Sequence, residues 1–270
     1  MNVLTKIRLL ALAGSLVLTI SCSKNSDDNV VIDPGGIDKT ANLLATGDSA
    51  NDILSNDTFT KLLIEIAYVN GFQPTMESMN NFQAFLQART FKQDIEILYN
   101  ELPSPNEAEL SLQEIADLES DNRTAYNEDS TLAIYIYFAD APSEDDDPNE
   151  GTVTLGAVYR NTSMVIHEST VRDLAQQSSQ ITNADVETAT LNHEFGHLLG
   201  LVDLGTTPVN DHEDPNATHH CDILGCLMRA ELQFGSGIMG MLSSRVSKGN
   251  AAVPGLDSEC ILDLQQNGGR

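Results

Sequence analysis

Three residues in this chain are spaced to do chemistry together: His193, Glu194 and His197, in the stretch NHEFGHLLGLVD from Asn192 to Asp203. On a helix, residues four apart lie on one face a turn from each other, so both imidazoles can reach one metal ion. Glu194 leans towards the same face, where a carboxylate can take a proton from an attacking water. H-E-x-x-H on a helix is the spacing of a zinc hydrolase, with the Glu as general base. A surface helix that carries two His and a Glu by chance is the alternative. Against it stands Gly200, three residues after His197. A glycine there admits a left-handed residue that ends the helix and reverses the chain.

That reversal matters because a zinc hydrolase needs three protein ligands and one open position. The third must come from later in the chain. Asp203, His212 and His220 are the candidates. His212 sits in Asp211-His212-Glu213-Asp214, which reads as an exposed polar loop. His167 lies on an expected strand ahead of the helix and reads as structural.

Extended to H-E-x-x-H-x-x-G, the motif resembles the metzincin clan of zinc metallopeptidases, whose signature adds a third ligand and a downstream Met-turn. Strict metzincin register places the third ligand at Asp203. The string Cys221-x4-Cys226-x-Met228 is similar to the archaemetzincins, in which the third His directly precedes the first Cys. That alignment implies His220 as ligand and Met228 as the Met-turn residue beneath the metal. The chain departs from that family by the loop Gly205–Thr218 and by lacking a later C-x-x-C, so no second structural zinc is expected. A wider pattern resembles bacterial lipoprotein metalloproteases. It comprises GLVxxGT from Gly200 to Thr206, HCxxxxCLM, and Cys260, Asp263 and Leu264 ahead of Gly268-Gly269. These resemblances order the third ligand as His220, then Asp203, then His212. Many metzincins carry a Tyr after the Met-turn to steady the oxyanion; Arg229-Ala230 stands here instead, and Arg229 is a candidate for that charge.

The elements that must position these residues follow from patterning. Thr60–Val69, Asp94–Tyr99, Thr131–Ala139, Thr152–Tyr159 and Ser163–Ser169 read as strands. Thr131–Ala139 is nearly all apolar, as expected of a strand covered on both faces. Thr75–Arg89 carries Met76, Met79, Phe82 and Leu86 as one helical stripe. Ser111 with Glu114 forms a capping box for a short helix. Asn183 or Asp185 caps the metal helix. The acidic run Glu144–Asp147 lacks the spacing of a calcium loop and reads as solvated. The expected fold is α/β (α+β) and zincin-like by resemblance. It has a twisted mixed sheet of about five strands, an active-site helix and a smaller irregular C-terminal subdomain. The resemblance makes Thr152–Tyr159 the edge strand that pairs with an extended substrate.

At the N-terminus, Lys6 and Arg8 precede the apolar run Leu9–Ile20, and Ser21 precedes Cys22. This reads as a secretory signal over 1–21. Thr19-Ile20-Ser21-Cys22 resembles a bacterial lipobox, with Cys22 lipidated. The acidic SKNSDDN after it is similar to tags that send lipoproteins to the outer face of the cell. Residues 22–50 read as a flexible tether and 51–270 as the catalytic domain. The net charge of −26 becomes −28 once Lys6 and Arg8 are removed with the signal. Such a balance repels nucleic acid and anionic headgroups, so membrane contact is expected through lipid alone. Cys221, Cys226 and Cys260 are an odd number for an oxidising compartment, and their pairing is open.

Together these readings predict a lipid-anchored, monomeric zinc endopeptidase of the bacterial outer membrane, exposed at the cell surface. Its expected substrates are proteins or peptides, its ligands His193, His197 and His220, its base Glu194. A non-catalytic zinc-containing surface binding lipoprotein is the alternative; holding a metal alone gives Glu194 no purpose.

Overall fold

The structure is a computed structural model, which describes residues 36–147, 153–233 and 235–270. The signal, Cys22 and most of the tether lie outside these residues. The described chain is a mixed α/β fold. Its strands are β1 (Lys61–Val69), β2 (Asp94–Leu102), β3 (Thr131–Ala139), β4 (Gly156–Arg160) and β5 (Ser163–His167), with a short hairpin of β6 (Glu213–Asp214) and β7 (Ala217–Cys221). Its helices are α1 (Ala50–Leu54), α2 (Met76–Arg89), α3 (Leu112–Asn122), α4 (Glu168–Ala175), α5 (Asn183–Leu198), α6 (Gly235–Ser247) and α7 (Ser258–Gln266).

The main sheet runs in the order β2-β1-β3-β5-β4. The first four strands are parallel and β4 joins β5 antiparallel, at one end. β3 sits at the centre and divides its side chains by the strand period of two. Leu132, Ile134, Ile136 and Phe138 enter the core shared with α2 and α5. Tyr135, Tyr137 and Ala139 enter a second, smaller core on the opposite face with Ile115 of α3. No helix among the described residues is long and apolar enough to cross a membrane.

Several expectations are corrected. Asp94–Tyr99 extends to Leu102, and Thr152–Tyr159 becomes Gly156–Arg160. Ser163–Ser169 stops at His167, where α4 begins, a helix the periodicity did not disclose. Met76, the first residue of α2, is 81 % exposed and does not join Met79, Phe82 and Leu86 in the core. The fold also begins earlier than residue 51. Asn42 is buried and its amide reaches Asn127 Oδ1, the Ala133 carbonyl and Thr162 Oγ1, so a polar residue read as tether closes the bottom of the sheet. From Leu199 to Gln233 the chain is irregular apart from the β6–β7 hairpin and a short 3-10 turn, and beyond it α6 and α7 pack Ile238, Leu242, Cys260 and Leu264 onto the main core.

Candidate metal centre

Helix α5 begins with a capping box. The side chain of Thr182 accepts the Asp185 amide, and Asp185 accepts the Thr182 amide in return. Thr182 is therefore the cap, rather than Asn183 or Asp185, because only its extended backbone leaves its side chain free to turn back. Deeper in the helix, Glu187 accepts from the Thr75 amide, Thr75 Oγ1 and Ser78 Oγ, tying α5 to the start of α2. Phe195 meets Phe82 edge-on at 5.2 Å between centroids. Every residue of α5 from Val186 to Leu198 is buried, so the helix that carries the motif is the core of the molecule.

His193 and His197 project from one face as their spacing requires. The Nε2 atoms of the two rings lie 3.3 Å apart. Two nitrogens each about 2.0–2.1 Å from one tetrahedral ion would be separated by about 3.3 Å. His193 Nδ1 lies 2.8 Å from the Leu227 carbonyl, to which it must donate, leaving its Nε2 lone pair directed at the centre.

The chain returns to the helix through a tight reversal. Leu199 caps α5, Gly200 takes φ +75°, and Val202 and Asp203 are also left-handed. Thr206 donates its amide to the Gly200 carbonyl. An added Cβ at Gly200 would meet Thr206 Oγ1 at 2.6 Å, so the glycine is required twice over. The hairpin β6–β7 then brings His220 against the helix. His220 Nδ1 donates to the Thr218 carbonyl at 2.9 Å, and its buried Nε2 has no hydrogen-bond partner. The ring stacks on His193 at 5.4 Å and stands edge-on to His197 at 5.3 Å.

His193, His197 and His220 thus offer three nitrogens within 4.8 Å of one another, a group that could hold a metal ion. Asp203 and His212 do not join it. Asp203 is exposed in the left-handed turn. His212, expected in an exposed loop, is 2 % exposed and faces Cys221 and Asp263 instead. His167 is buried and its Nδ1 donates to the Ala141 carbonyl, in keeping with a structural role.

The surroundings prepare these rings to stay neutral. Burial pushes His193 down to about 3, with His220 adding to the shift, and burial likewise depresses His197 and His220. Neutral imidazole is the ligand form. Glu194 is fully buried, neither of its oxygens has a partner, and burial raises its carboxyl to about 8. An orphaned buried carboxylate beside three converging imidazoles is costly unless a cation is held there. The donor set and the unsatisfied atoms therefore fit a metal ion.

Two contacts that spacing alone did not reveal complete the centre. Met228 is wholly buried and packs against Gly196, the residue between the two helical histidines on the same helix. Gly156 of β4 lies over Glu194, whose Cγ would be 2.7 Å from a Cβ at that position. A cleft of about 500 Å³ opens onto the site, lined by Glu194, His197, His220, Ala157 and Val158 together with Thr218, His219 and Gln233. Arg229 is elsewhere: it pairs with Glu231 and Asp214 and donates to the Asp222 carbonyl. Its charge is thus committed to Glu231 and to Asp214 of the hairpin. A scan against protein-family models and a search of curated proteins both return no match for this chain.

Proposed function

We propose that this protein is a zinc-dependent endopeptidase of metzincin type, tethered to the bacterial envelope through lipid on Cys22. The observation that carries the reading is the pairing of His193, His197 and His220 with an unpartnered, buried Glu194 at the wall of an open cleft. His193, His197 and His220 would hold a zinc ion, which when bound would supply a Lewis acid for a carbonyl oxygen and for an attacking water. Zinc suits a three-imidazole set with an open fourth position.

Glu194 is the group that accepts the proton of the attacking water and passes it to the leaving amine. Its ionised form is favoured once positive charge lies nearby, which reverses the effect of burial. Strand β4 ends the sheet, so among the described residues one row of its backbone groups has no strand partner. Those groups suit an extended peptide added as a further strand, with Ala157 and Val158 facing the cleft. Gln233, Thr218 and His219 are among the polar side chains that line the cleft and suit the orientation of a scissile carbonyl, whereas Arg229 is not among the lining residues.

The test is zinc content together with casein cleavage, for the wild-type protein and Glu194→Ala. Zinc in both with cleavage in the wild type alone is the expected result. Zinc in both and cleavage in neither supports a metal-containing binding module instead.

A further inference from the structure

A second group of metal-ligating side chains lies outside the three-histidine site, and the function proposed above does not use it. His212, Cys221, Asp257 and Cys260 present donor atoms within 4.8 Å of one another. Cys226 stands outside that group of four, but its thiol lies 3.7 Å from that of Cys260. These residues come from three separated segments: the loop after Gly205, the end of β7 with the turn that follows it, and the start of α7. The three cysteines and His212 are all buried.

We propose that Cys221, Cys226, Cys260 and His212 bind a second metal ion, a structural zinc, that fastens the loop and the His220 hairpin to α7. This reverses the expectation drawn from the missing C-x-x-C, because the fold recruits His212 from the inserted loop as the fourth donor.

Four observations support it. Two sulfurs each about 2.3 Å from one tetrahedral ion lie about 3.8 Å apart, close to the Cys226–Cys260 separation. Backbone amides point at two of the sulfurs: Ile223 donates to Cys221 Sγ at 3.4 Å and Met228 to Cys226 Sγ at 3.3 Å. Such donors stabilise thiolate, the form that binds metal. His212 Nε2 donates to Asp263 at 2.8 Å, which leaves Nδ1 as the acceptor atom facing Cys221 at 3.4 Å. A carboxylate behind an imidazole is the arrangement that orients a histidine ligand. Finally, Asp263 also accepts the Val209 amide, so the loop that carries His212 is itself anchored to α7. Asp257 lies within reach through one oxygen, 3.1 Å from Cys221 Sγ, but its other oxygen caps α7 at the amides of Glu259 and Cys260. Thiolate is the stronger zinc donor, so Asp257 is assigned to the cap.

The ion would stand next to the first site through the chain itself. Cys221 directly follows His220, and Cys226 precedes Met228 by two residues. Holding the two sulfurs holds both the third histidine and the methionine floor. The proposal stands independently of whether the first site is catalytic.

The experiment is metal analysis of the full chain after zinc or cobalt loading, for the wild type, His193→Ala/His197→Ala and Cys260→Ser. The expected stoichiometries are about two, about one and about one. The cobalt-loaded histidine double variant should keep an intense thiolate-to-cobalt charge-transfer band in the near ultraviolet, and Cys260→Ser should lose or weaken it. In wild-type protein the three thiols should resist a thiol reagent until a chelator is added. No metal in the histidine double variant would overturn the proposal, whatever the first site does. So would a Cys226–Cys260 disulfide in the metal-loaded wild type. Should Cys260→Ser fail to fold, the double variant and the thiol protection still decide the matter.

Discussion

The sulfur of Met228 occupies the space that a side chain at position 196 would need: a Cβ built on Gly196 falls 2.3 Å from Met228 Sδ. The glycine therefore lets the turn after Cys226 press directly on the helix between its two histidines. In an exposed helix, Gly→Ala would stabilise by roughly 1 kcal/mol. Here Gly196→Ala should instead destabilise, by about 1–3 kcal/mol, as overpacked cores do. Its metal affinity should fall as well. Chemical unfolding and metal titration of Gly196→Ala, Met228→Ala and the double variant check this, since the double variant should recover part of the loss.

The third ligand is decided by the same kind of comparison. His220→Ala should weaken metal binding at the first site by more than about 100-fold, beyond the range seen for residues behind a ligand. Asp203→Asn should leave it unchanged, since Asp203 stands apart and Asn tolerates its φ of +60°. Competition with a chelator of known affinity measures both.

Metal binding should also release a proton from Glu194. Burial holds this carboxyl at about 8, so at pH 7 it is mostly protonated in metal-free protein. A cation nearby favours the ionised form, and loading at pH 7 should expel close to one proton at this site. Affinity should accordingly rise with pH up to about 8. Calorimetry in buffers of different ionisation enthalpy reads the proton directly. Glu194→Gln should lack this contribution.

A further pH effect belongs to Glu168, which is buried beside Glu187. Burial, and then the Glu187 charge, raise its carboxyl from 4.5 to about 9 against the pull of Arg172. The folded state thus keeps a proton that the unfolded chain gives up. This contribution to stability is complete below about pH 4.5 and declines as pH rises towards about 9. Glu168→Gln should flatten that decline, with a higher urea midpoint than wild type at pH 8. Equal pH slopes for the two proteins would remove Glu168 as the cause.

The helical spacing of His193, Glu194 and His197 made their shared face legible from sequence, because a four-residue offset is set by local backbone geometry alone. The same holds for the Ser111 capping box, for the apolar run of β3 and for the glycine at position 200. Each is read from a few neighbouring residues. Helix α4 is not legible in the sequence because Glu168–Ala175 is short, and a buried glutamate and a partly exposed arginine interrupt its apolar face. Asn42 reads as tether in the sequence because nothing local tells a polar residue hydrogen-bonded under a sheet from one in water.

That His220 lies with the two helical histidines while Asp203 and His212 do not is a matter of a different kind. Asp203 follows Gly200 closely enough to satisfy a spacing rule, yet the left-handed turn carries it away from the helix face. His212 looked exposed among acids, yet Asp263, fifty-one residues later, draws it inside. The gathering of Cys221, Cys226, Cys260 and His212 likewise depends on where α7 packs, which no local pattern specifies. Sequence alone determined the residues whose chemistry depends on neighbours within a turn or a strand. Only the tertiary structure decided which distant side chains share a centre, because long-range proximity is set by how whole elements bury their apolar faces against one another.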